Sequence, residues 1–245
     1  MKKTIAIIGA GPGVGLAIAR RFGKEGFNIA LLGRNEQKVG KLVELLHNEG
    51  INASYFKADV MDRIGLVHAL LQVVDQFGQI DVLEYGPAPA MGSMRTVESL
   101  DAESANLEFE FSVLGAIAAV NAVLPGMKAR KSGTILFTTA LSAQHPLNIT
   151  ASFGVAAGAQ LNYARLLHNN LKYENIFTGI VSIAAIVAAE GPHFEALVAN
   201  FPPGLPIISA EQVANQHWEL YTNRNSCEAT VGDVKKLLSL PGFQS

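Results

Sequence analysis

The sequence has few of the features that mark secreted, metal-binding or membrane proteins. Its 245 residues include one cysteine, Cys227, so neither a disulfide nor a cysteine-based metal site can form within the chain. Charged residues make up 16% and the net charge is -2, which leaves no positive field for nucleic acid. The start, MKKTIAIIGAGPG, lacks the apolar length and cleavage site of a signal peptide. No uninterrupted apolar run approaches the ~18 residues of a membrane span. We therefore expect a cytoplasmic protein without metal, membrane or nucleic-acid partners.

Hydrophobic residues, at 49%, are in contrast abundant, and short apolar runs alternate with helical patterns along the chain. Alternation with short links predicts a doubly wound parallel sheet with helices on both faces. Because no repeat or linker interrupts it, we expect one domain over residues 1–245. The predicted strands are Thr4–Gly9, Asn28–Gly33, Ala53–Phe56, Ile80–Gly86, Gly133–Thr139, Phe177–Ala184 and Glu228–Gly232. The predicted helices are Val14–Gly23, Glu36–Glu49, Asp62–Phe77, Ala102–Leu124, Ser152–Tyr173 and Ser209–Tyr221.

A glycine-rich stretch, GAGPGVG, joins the first predicted strand to the first predicted helix. Glycine permits a tight turn there and lets the backbone approach a pyrophosphate closely. The N-terminus of the helix offers free N–H groups and the positive end of its dipole. This context favours a Rossmann-type dinucleotide site over a ligand-free turn. The residues predicted to bind the cofactor here are Gly9, Gly11, Gly13, Val14 and Gly15.

The end of the second predicted strand bears on the choice of dinucleotide. An NAD site usually has an acid there for the ribose diol, whereas this chain has Arg34 after Gly33. Arg34 can bind a 2′-phosphate, so NADP(H) is preferred and NAD(H) remains possible. Asp59, at the end of the third strand, either accepts from the adenine amino group or caps a turn. The remaining predicted cofactor residues are Asn35, Val60 and Gly86.

The chain resembles the short-chain dehydrogenase/reductase family. Besides the glycine motif, the resemblance rests on LLGRN, KADV, GQIDVLEYG, FSVLGAIAAV, GTILFTTA and ENIFTGIVSI. The ending ISAEQVANQHWELYTNRNSCEATVG is similar to a divergent bacterial branch. The resemblance implies an NAD(P)-dependent oxidoreductase acting on a small carbonyl or alcohol. It also implies a homodimer or homotetramer paired through two nearly charge-free helix segments, SVLGAIAAVNAVL and SFGVAAGAQL, and a substrate-capping segment at about 186–208.

Typical members of that family carry an Asn-Ser-Tyr-Lys set in which the tyrosine is the acid and base. The lysine lowers the pKa of the tyrosine by stabilising the phenolate. Matching the flanking motifs places Ser112, Ala140, Phe153 and Ala157 at these four positions. A shift of one residue would give Ser152 and Ala156 for the last two. In either alignment the usual phenol and amine are missing.

Two other side chains are candidates for the missing acid. His145 follows the fifth predicted strand, and histidine titrates near neutral pH. Tyr85 ends the fourth strand, at the edge of the sheet where ligands bind. The alternatives are a surface histidine and a packed aromatic ring. Glu190 and His193 fall in the capping segment and are expected to cover the substrate rather than to react.

The sequence thus leaves two functions open. The first is an oxidoreductase with a non-standard active site, which the retained capping segment favours. The second is a non-catalytic NADP(H)-binding protein, such as a redox sensor or a partner subunit. No G-x-S-x-G, H-E-x-x-H or G-K-[ST] motif points to a hydrolase, a zinc enzyme or a P-loop.

Overall fold

The computed structural model describes residues 2–88, 94–189, 198, 203–241 and 243. Seven parallel strands form one sheet in the order β3-β2-β1-β4-β5-β6-β9, and β7 pairs with β8 in a separate small sheet. The strands are β1 Thr4–Ile8, β2 Asn28–Gly33, β3 Ala53–Lys57, β4 Val82–Tyr85, β5 Gly133–Ala140, β6 Ile176–Ala184, β7 Ile186–Val187, β8 Ile207–Ile208 and β9 Glu228–Gly232. This confirms the single-domain Rossmann-type α/β fold.

Eight described α-helices cover the two faces of the large sheet. They are α1 Val14–Lys24, α2 Glu36–Asn48, α3 Arg63–Phe77, α4 Ala102–Phe109, α5 Gly115–Ala129, α6 Ala151–Leu171, α7 Ala210–Asn223 and α8 Val234–Leu238. One core cluster joins the sheet to α3, α5 and α6, and a second joins it to α1, α2 and α7. Because β4 lies centrally, successive residues of β4 point alternately into these two cores.

Local capping signals in the sequence fix several helix starts. The Asp62 carboxylate accepts a hydrogen bond from the backbone N–H of Gly65 at 3.0 Å, which caps α3. Ser209 and Gln212 form the predicted capping box of α7. Such side chains satisfy backbone donors that have no partner within the helix.

The prediction that one helix ends at Leu124 is wrong. A π-helical turn, Glu110–Leu114, joins α4 to α5, and α5 continues through Pro125 to Ala129. Proline removes one helical hydrogen bond, but Val123 and Met127 on either side are buried in the core. Burial of apolar side chains offsets the lost bond.

The helical run Ala102–Ala129 is long and apolar enough to cross a membrane by length and composition. Its second half packs on α3 and the sheet, with Ala116, Ala119 and Val120 fully buried. That packing is the one expected of a helix in the core of a folded domain.

Gly115 provides a test of how closely α5 packs on β4. A Cβ at Gly115 would approach the Tyr85 hydroxyl and the Val60 carbonyl oxygen at 2.4 and 3.0 Å. We expect Gly115→Ala to lower the free energy of unfolding by about 1–3 kcal/mol, because overpacking forces the neighbours apart. Urea denaturation measures the change.

Gly126→Ala is the matched control in the same helix. Its Cβ would meet only the flexible end of Arg130, at 3.3 Å. Alanine is favoured over glycine in a helix by about 0.5–1 kcal/mol, so this variant should be slightly stabilised. Equal effects of the two substitutions would contradict the close contact at Gly115.

Candidate functional site

The turn after β1 lies directly against the segment that follows β4. Gly9 has a φ of +90°, and a Cβ on Gly9 would lie 2.4 Å from the Pro87 Cα. The N–H groups of Gly9 and Ala10 both donate to the Leu32 carbonyl oxygen at 3.1 Å. Only glycine tolerates this combination of positive φ and close approach.

The N-terminus of α1 is open to an anion. Gly13 is the N-cap residue and makes no side-chain cap, and the first turn of this fully described helix holds no acidic residue. A Cβ at Gly13 would meet nothing within 4 Å, whereas one at Gly15 would lie 3.1 Å from the Ala10 Cα. Gly15 therefore lets the helix pack on the turn. The Leu16 N–H donates to the Gly11 carbonyl oxygen at 3.0 Å, which leaves the N–H groups of Val14 and Gly15 for a ligand. Such a terminus suits a phosphate.

A cleft of about 530 Å³ extends from this turn along the carboxyl edge of the sheet. It runs from the end of β2 across β1 to the segment after β4. The residues that line it are Ile8, Gly9, Ala10, Gly11, Pro12, Gly33, Arg34, Asn35, Lys38, Val39, Leu42, Ala58, Val60, Pro87, Ala88 and Phe111. Its length along three strand ends and its mixed lining fit a dinucleotide.

Two cations flank the β2 end of the cleft. The Asn35 side chain caps α2 by accepting from the Lys38 backbone N–H at 2.9 Å, which sets the first turn beside Arg34. The exposed side chains of Arg34 and Lys38 make no hydrogen bond or ion pair within the described residues. Sequence reasoning found Arg34 and missed Lys38. The spacing in the sequence could have found it, because Lys38 is three positions after the N-cap Asn35 and therefore lies in the first turn of α2, next to Arg34.

The predicted cofactor residues occupy three places. Those lining the cleft are Gly9, Gly11, Arg34, Asn35 and Val60, and those in the glycine turn and the start of α1 are Gly13, Val14 and Gly15. Asp59 and Gly86 lie outside the lining. The Asp59 carboxylate accepts from the Met61 N–H at 3.0 Å, so it holds a turn. The Gly86 N–H donates to the Ile8 carbonyl oxygen at 3.1 Å, and Pro87, rather than Gly86, lines the cleft.

The four positions that the resemblance assigns to catalysis carry no titratable group. Ser112 is buried in the π-helical turn, where its carbonyl oxygen accepts from Gln160 at 2.9 Å. Ala140 ends β5, while Phe153 is half-buried and Ala157 fully buried on α6. None of these side chains can exchange a proton with a substrate near neutral pH.

Tyr85 does not fit the role of the replacement acid. It is fully buried, and its hydroxyl donates to the Phe111 carbonyl oxygen at 2.5 Å. Burial raises the pKa of this phenol far above its ordinary value. The side chain points into the α5 core, so Tyr85 is the packed aromatic that the sequence left as the alternative.

His145 remains a prediction. It is half-buried in the turn after β5, and its backbone N–H donates to the Leu141 carbonyl oxygen at 2.9 Å. Its imidazole makes no hydrogen bond within the described residues. The other two residues named for the substrate side, Glu190 and His193, lie outside the described residues, as does most of the 186–208 segment.

Comparison with known proteins identifies the family. The family model for short chain dehydrogenase matches residues 3–190. The chain belongs to the short-chain dehydrogenase family. It is 30% identical over 182 residues to a 2,3-dihydro-2,3-dihydroxybenzoate dehydrogenase of Bacillus subtilis, covering 74% of this chain and 68% of that protein. It is 27% identical over 187 residues to an uncharacterized oxidoreductase of Staphylococcus epidermidis, covering 74% and 79%.

Solved structures agree on the fold. The NADPH-dependent reductase YwfH, involved in bacilysin biosynthesis, superposes with a TM-score of 0.85 at 18% identity, over 98% of this chain and 100% of that one. L-sorbose reductase from Gluconobacter frateurii, complexed with NADPH and L-sorbose, gives a TM-score of 0.83 at 23% identity, over 98% of both chains.

This short-chain dehydrogenase also contains a buried polar set that sequence reasoning missed. The Thr138 hydroxyl donates to Glu84 Oε1 at 2.7 Å and lies 2.9 Å from His217 Nε2. Glu84 and His217 are 2% and 0% exposed, so both are desolvated. Burial raises the pKa of Glu84 to about 8 and lowers that of His217 to about 3. Near pH 7 both side chains are therefore neutral.

The sequence did contain a signal for this set. Glu84 interrupts an otherwise apolar strand, IDVLEYG, and a lone acid at a buried strand position needs a partner. Its partner His217 is 133 positions away and lies on a helix, where it looked like a packing residue. Only the packing of α7 on the sheet brings His217 to Thr138, and through Thr138 to Glu84.

The raised pKa of Glu84 predicts a pH-dependent stability. The unfolded carboxyl ionises near its ordinary pKa of ~4.3, whereas the folded carboxyl keeps its proton up to about 8. The contribution of Glu84 is therefore fully present below pH ~4 and is lost as pH rises towards 8. Relative to Glu84→Gln, the wild type should lose up to about 4 kcal/mol of unfolding free energy between pH 5 and 8.

Denaturant unfolding at pH 5, 6.5 and 8 measures this difference. Glu219→Gln is the control, because Glu219 is exposed on the same helix as His217. A constant difference between wild type and Glu84→Gln across the three pH values would show that Glu84 is not held neutral in the folded protein.

Proposed function

We propose that this protein is an NADP(H)-dependent oxidoreductase that interconverts a carbonyl and an alcohol at a non-standard active site. The observation that carries the proposal is that Arg34 and Lys38, at the β2 end of the cleft, form no ion pair or side-chain hydrogen bond with any described residue. When bound, the cofactor supplies or accepts the hydride. The NADPH-dependent reductase and the NADPH complex among the solved relatives support this choice.

Different residues of the cleft are proposed to bind different parts of the dinucleotide. The N–H groups of Val14 and Gly15 at the start of α1 take the pyrophosphate, because they have no acceptor in the helix. Arg34 and Lys38 take the 2′-phosphate through charge-assisted hydrogen bonds, which are stronger than neutral ones. Ala58 and Val60 give the adenine an apolar surface. Among the described residues, none that lines the cleft is acidic and would repel the phosphate.

The substrate side of the site has no phenol–amine pair to move the proton. His145 is the candidate acid, since its imidazole is half-buried in the turn after β5 and unpaired among the described residues. Loss of a general acid typically costs ~10²–10⁴-fold in rate, so a weaker donor still permits turnover. The four replaced positions equally suit a non-catalytic NADP(H)-binding protein, which is the second candidate function.

The chain is proposed to act as a homodimer or homotetramer. Two adjacent helices, α4 and α6, expose large apolar side chains: Leu107 and Phe109 on α4, and Val155 and Leu166 on α6. Exposed apolar groups on packed helices are typical of a symmetric interface. Size-exclusion chromatography with light scattering gives the assembly directly.

Arg34→Ala and Lys38→Ala test the assignment of the 2′-phosphate. Each variant should weaken NADPH binding about tenfold or more and leave NADH binding nearly unchanged, because only NADPH carries that phosphate. Calorimetric titration with each dinucleotide measures both constants.

Lys41→Ala is the control, since Lys41 is exposed one turn further along α2 and does not line the cleft. It removes the same charge from the same helix and should leave both constants unchanged. Equal losses for NADPH and NADH in the Arg34 and Lys38 variants would contradict the assignment.

A panel of ketones and aldehydes with NADPH tests for catalysis. On any substrate that turns over, His145→Gln should lower kcat by about 10²-fold or more without changing the NADPH dissociation constant. His68→Gln, at an exposed position on α3, is the control and should leave kcat unchanged. Tight NADPH binding with no turnover on any carbonyl would favour the non-catalytic alternative.

A further inference from the structure

The buried set of Glu84, Thr138 and His217 lies where the far half of a bound dinucleotide must reach. With the 2′-phosphate at Arg34 on β2, the ligand crosses β1 at Gly9 and continues towards Pro87 and Ala88 after β4. Because the strand order is β2-β1-β4-β5, a nicotinamide half that continued in the same direction past Ala88 would reach the carboxyl ends of β4 and β5. Glu84 and Thr138 stand at these two strand ends.

One backbone layer separates this set from the cleft. A Cβ on Gly86 would lie 2.5 Å from Glu84 Oε1 and 2.9 Å from the Thr138 hydroxyl oxygen. Gly86 leads directly into Pro87, which lines the cleft and packs on Gly9. An ionised Glu84 would therefore change the electrostatic potential in the cleft, because only a thin layer of low-dielectric protein separates the two.

No other charged group inside this core competes with Glu84. Of its neighbours in β1 and β5, Ile7 and Leu136 are fully buried and apolar, and neither strand contains a titratable residue. From α7, Glu211 and Glu219 are exposed, Tyr221 is partly buried at the edge of this core with its hydroxyl accepting from Lys3, and His217 is fully buried. The charged residues of α1 are directed outwards: Arg20 and Arg21 pair with glutamates, and Lys24 is exposed.

The set can satisfy Glu84 in either protonation state. When Glu84 is ionised, Thr138 donates to it and the Nε2–H of a neutral His217 can donate to Thr138. When Glu84 is protonated, its O–H can donate to Thr138, which then donates to a bare Nε2. Hydroxyl and imidazole groups both donate and accept, so this reversal moves no heavy atom. It requires the imidazole proton to shift from Nε2 to Nδ1, which is buried and has no hydrogen-bond partner among the described residues.

We propose that Glu84 is a proton-linked charge partner of the nicotinamide half of the dinucleotide. Binding of the oxidised, cationic ring would drive the Glu84 carboxylic acid to release its proton to solvent, leaving a carboxylate whose charge favours the bound cation. Binding of the reduced, neutral ring leaves Glu84 protonated. This inference rests on the proposed NADP(H) binding and adds that the site selects the redox state of its cofactor.

The linkage has a definite sign. Below the pKa that Glu84 has in the ligand-free protein, binding of the oxidised dinucleotide must displace one proton. The affinity for the oxidised dinucleotide therefore increases as pH rises. Above that pKa, which burial places at about 8, the carboxylate is already formed and the affinity levels off. The reduced dinucleotide lacks this dependence, so near neutral pH the site favours NADPH over NADP⁺.

Calorimetric titration with NADP⁺ and NADPH from pH 6.5 to 9 tests the proposal. The ratio of their dissociation constants, NADP⁺ over NADPH, should fall by as much as tenfold per pH unit up to about 8 and stay constant above it. Titration of the 2′-phosphate affects both ligands and cancels in the ratio. Repeating the titrations in buffers of different ionisation enthalpy counts the proton released.

Three variants separate Glu84 from other causes. Glu84→Gln should bind both dinucleotides with a ratio independent of pH and release no proton, whereas Glu219→Gln should match the wild type. Thr138→Val removes the hydroxyl that favours the ionised carboxyl, so the level region should begin at higher pH. This variant keeps the test valid even if Glu84→Gln fails to fold.

The outcomes distinguish this inference from the proposed function. A pH-independent ratio in the wild type, with both dinucleotides bound, would overturn the role of Glu84 and leave NADP(H) binding intact. The same slope in Glu84→Gln as in the wild type would do likewise. Failure of the folded wild type to bind either dinucleotide would overturn both.

Discussion

The close crossing of backbone at Gly9 is the constraint on which the rest of the site depends. There is no space for a Cβ between Gly9 and Pro87, so the turn after β1 and the segment after β4 share one surface. This contact carries the cleft across the strand ends of β2, β1 and β4. It also places Gly86, and through it Glu84, directly beneath the same surface.

The two ends of the cleft differ. The glycine turn and the β2 end have the features of a phosphate site, with the open N-terminus of α1 and two cations that pair with no described residue. At the other end, the positions that the resemblance assigns to a phenol and an amine carry Phe153 and Ala157, or Ser152 and Ala156 in the shifted alignment. The chain also has a buried acid, Glu84, joined to His217 through Thr138.

Much of the fold could be predicted from the sequence because its signals are local. Apolar runs gave the seven strands of the large sheet, and Asp62 and Ser209 mark helix starts by hydrogen bonds within one turn. Pro125 led to the wrong prediction of a helix end at Leu124. The hydrogen bond that proline removes is outweighed by the burial of Val123 and Met127, which cannot be read from the neighbouring sequence. The π-helical turn at Glu110–Leu114 has no such local signal either.

The residues of the site also separate into those with local sequence signals and those set by packing between distant segments. The glycine turn and Arg34 follow from motif spacing, since their neighbours in sequence are also their neighbours in space. Which of the two cores Tyr85 and Glu84 enter depends on the side of β4 that each occupies, and the strand pattern alone does not say which core is which. The link from Glu84 through Thr138 to His217 depends on how α7 packs on the sheet, and therefore required the structure.

The central claim is that the cleft is an NADP(H) site specified by the 2′-phosphate. The most direct measurement is the ratio of the dissociation constants of NADPH and NADH for the wild-type protein, taken at low and at high ionic strength. We predict that NADPH binds at least tenfold more tightly at low salt and that the preference shrinks at high salt, because two exposed cations carry it. Equal affinities at both ionic strengths, or a preference for NADH, would contradict the account.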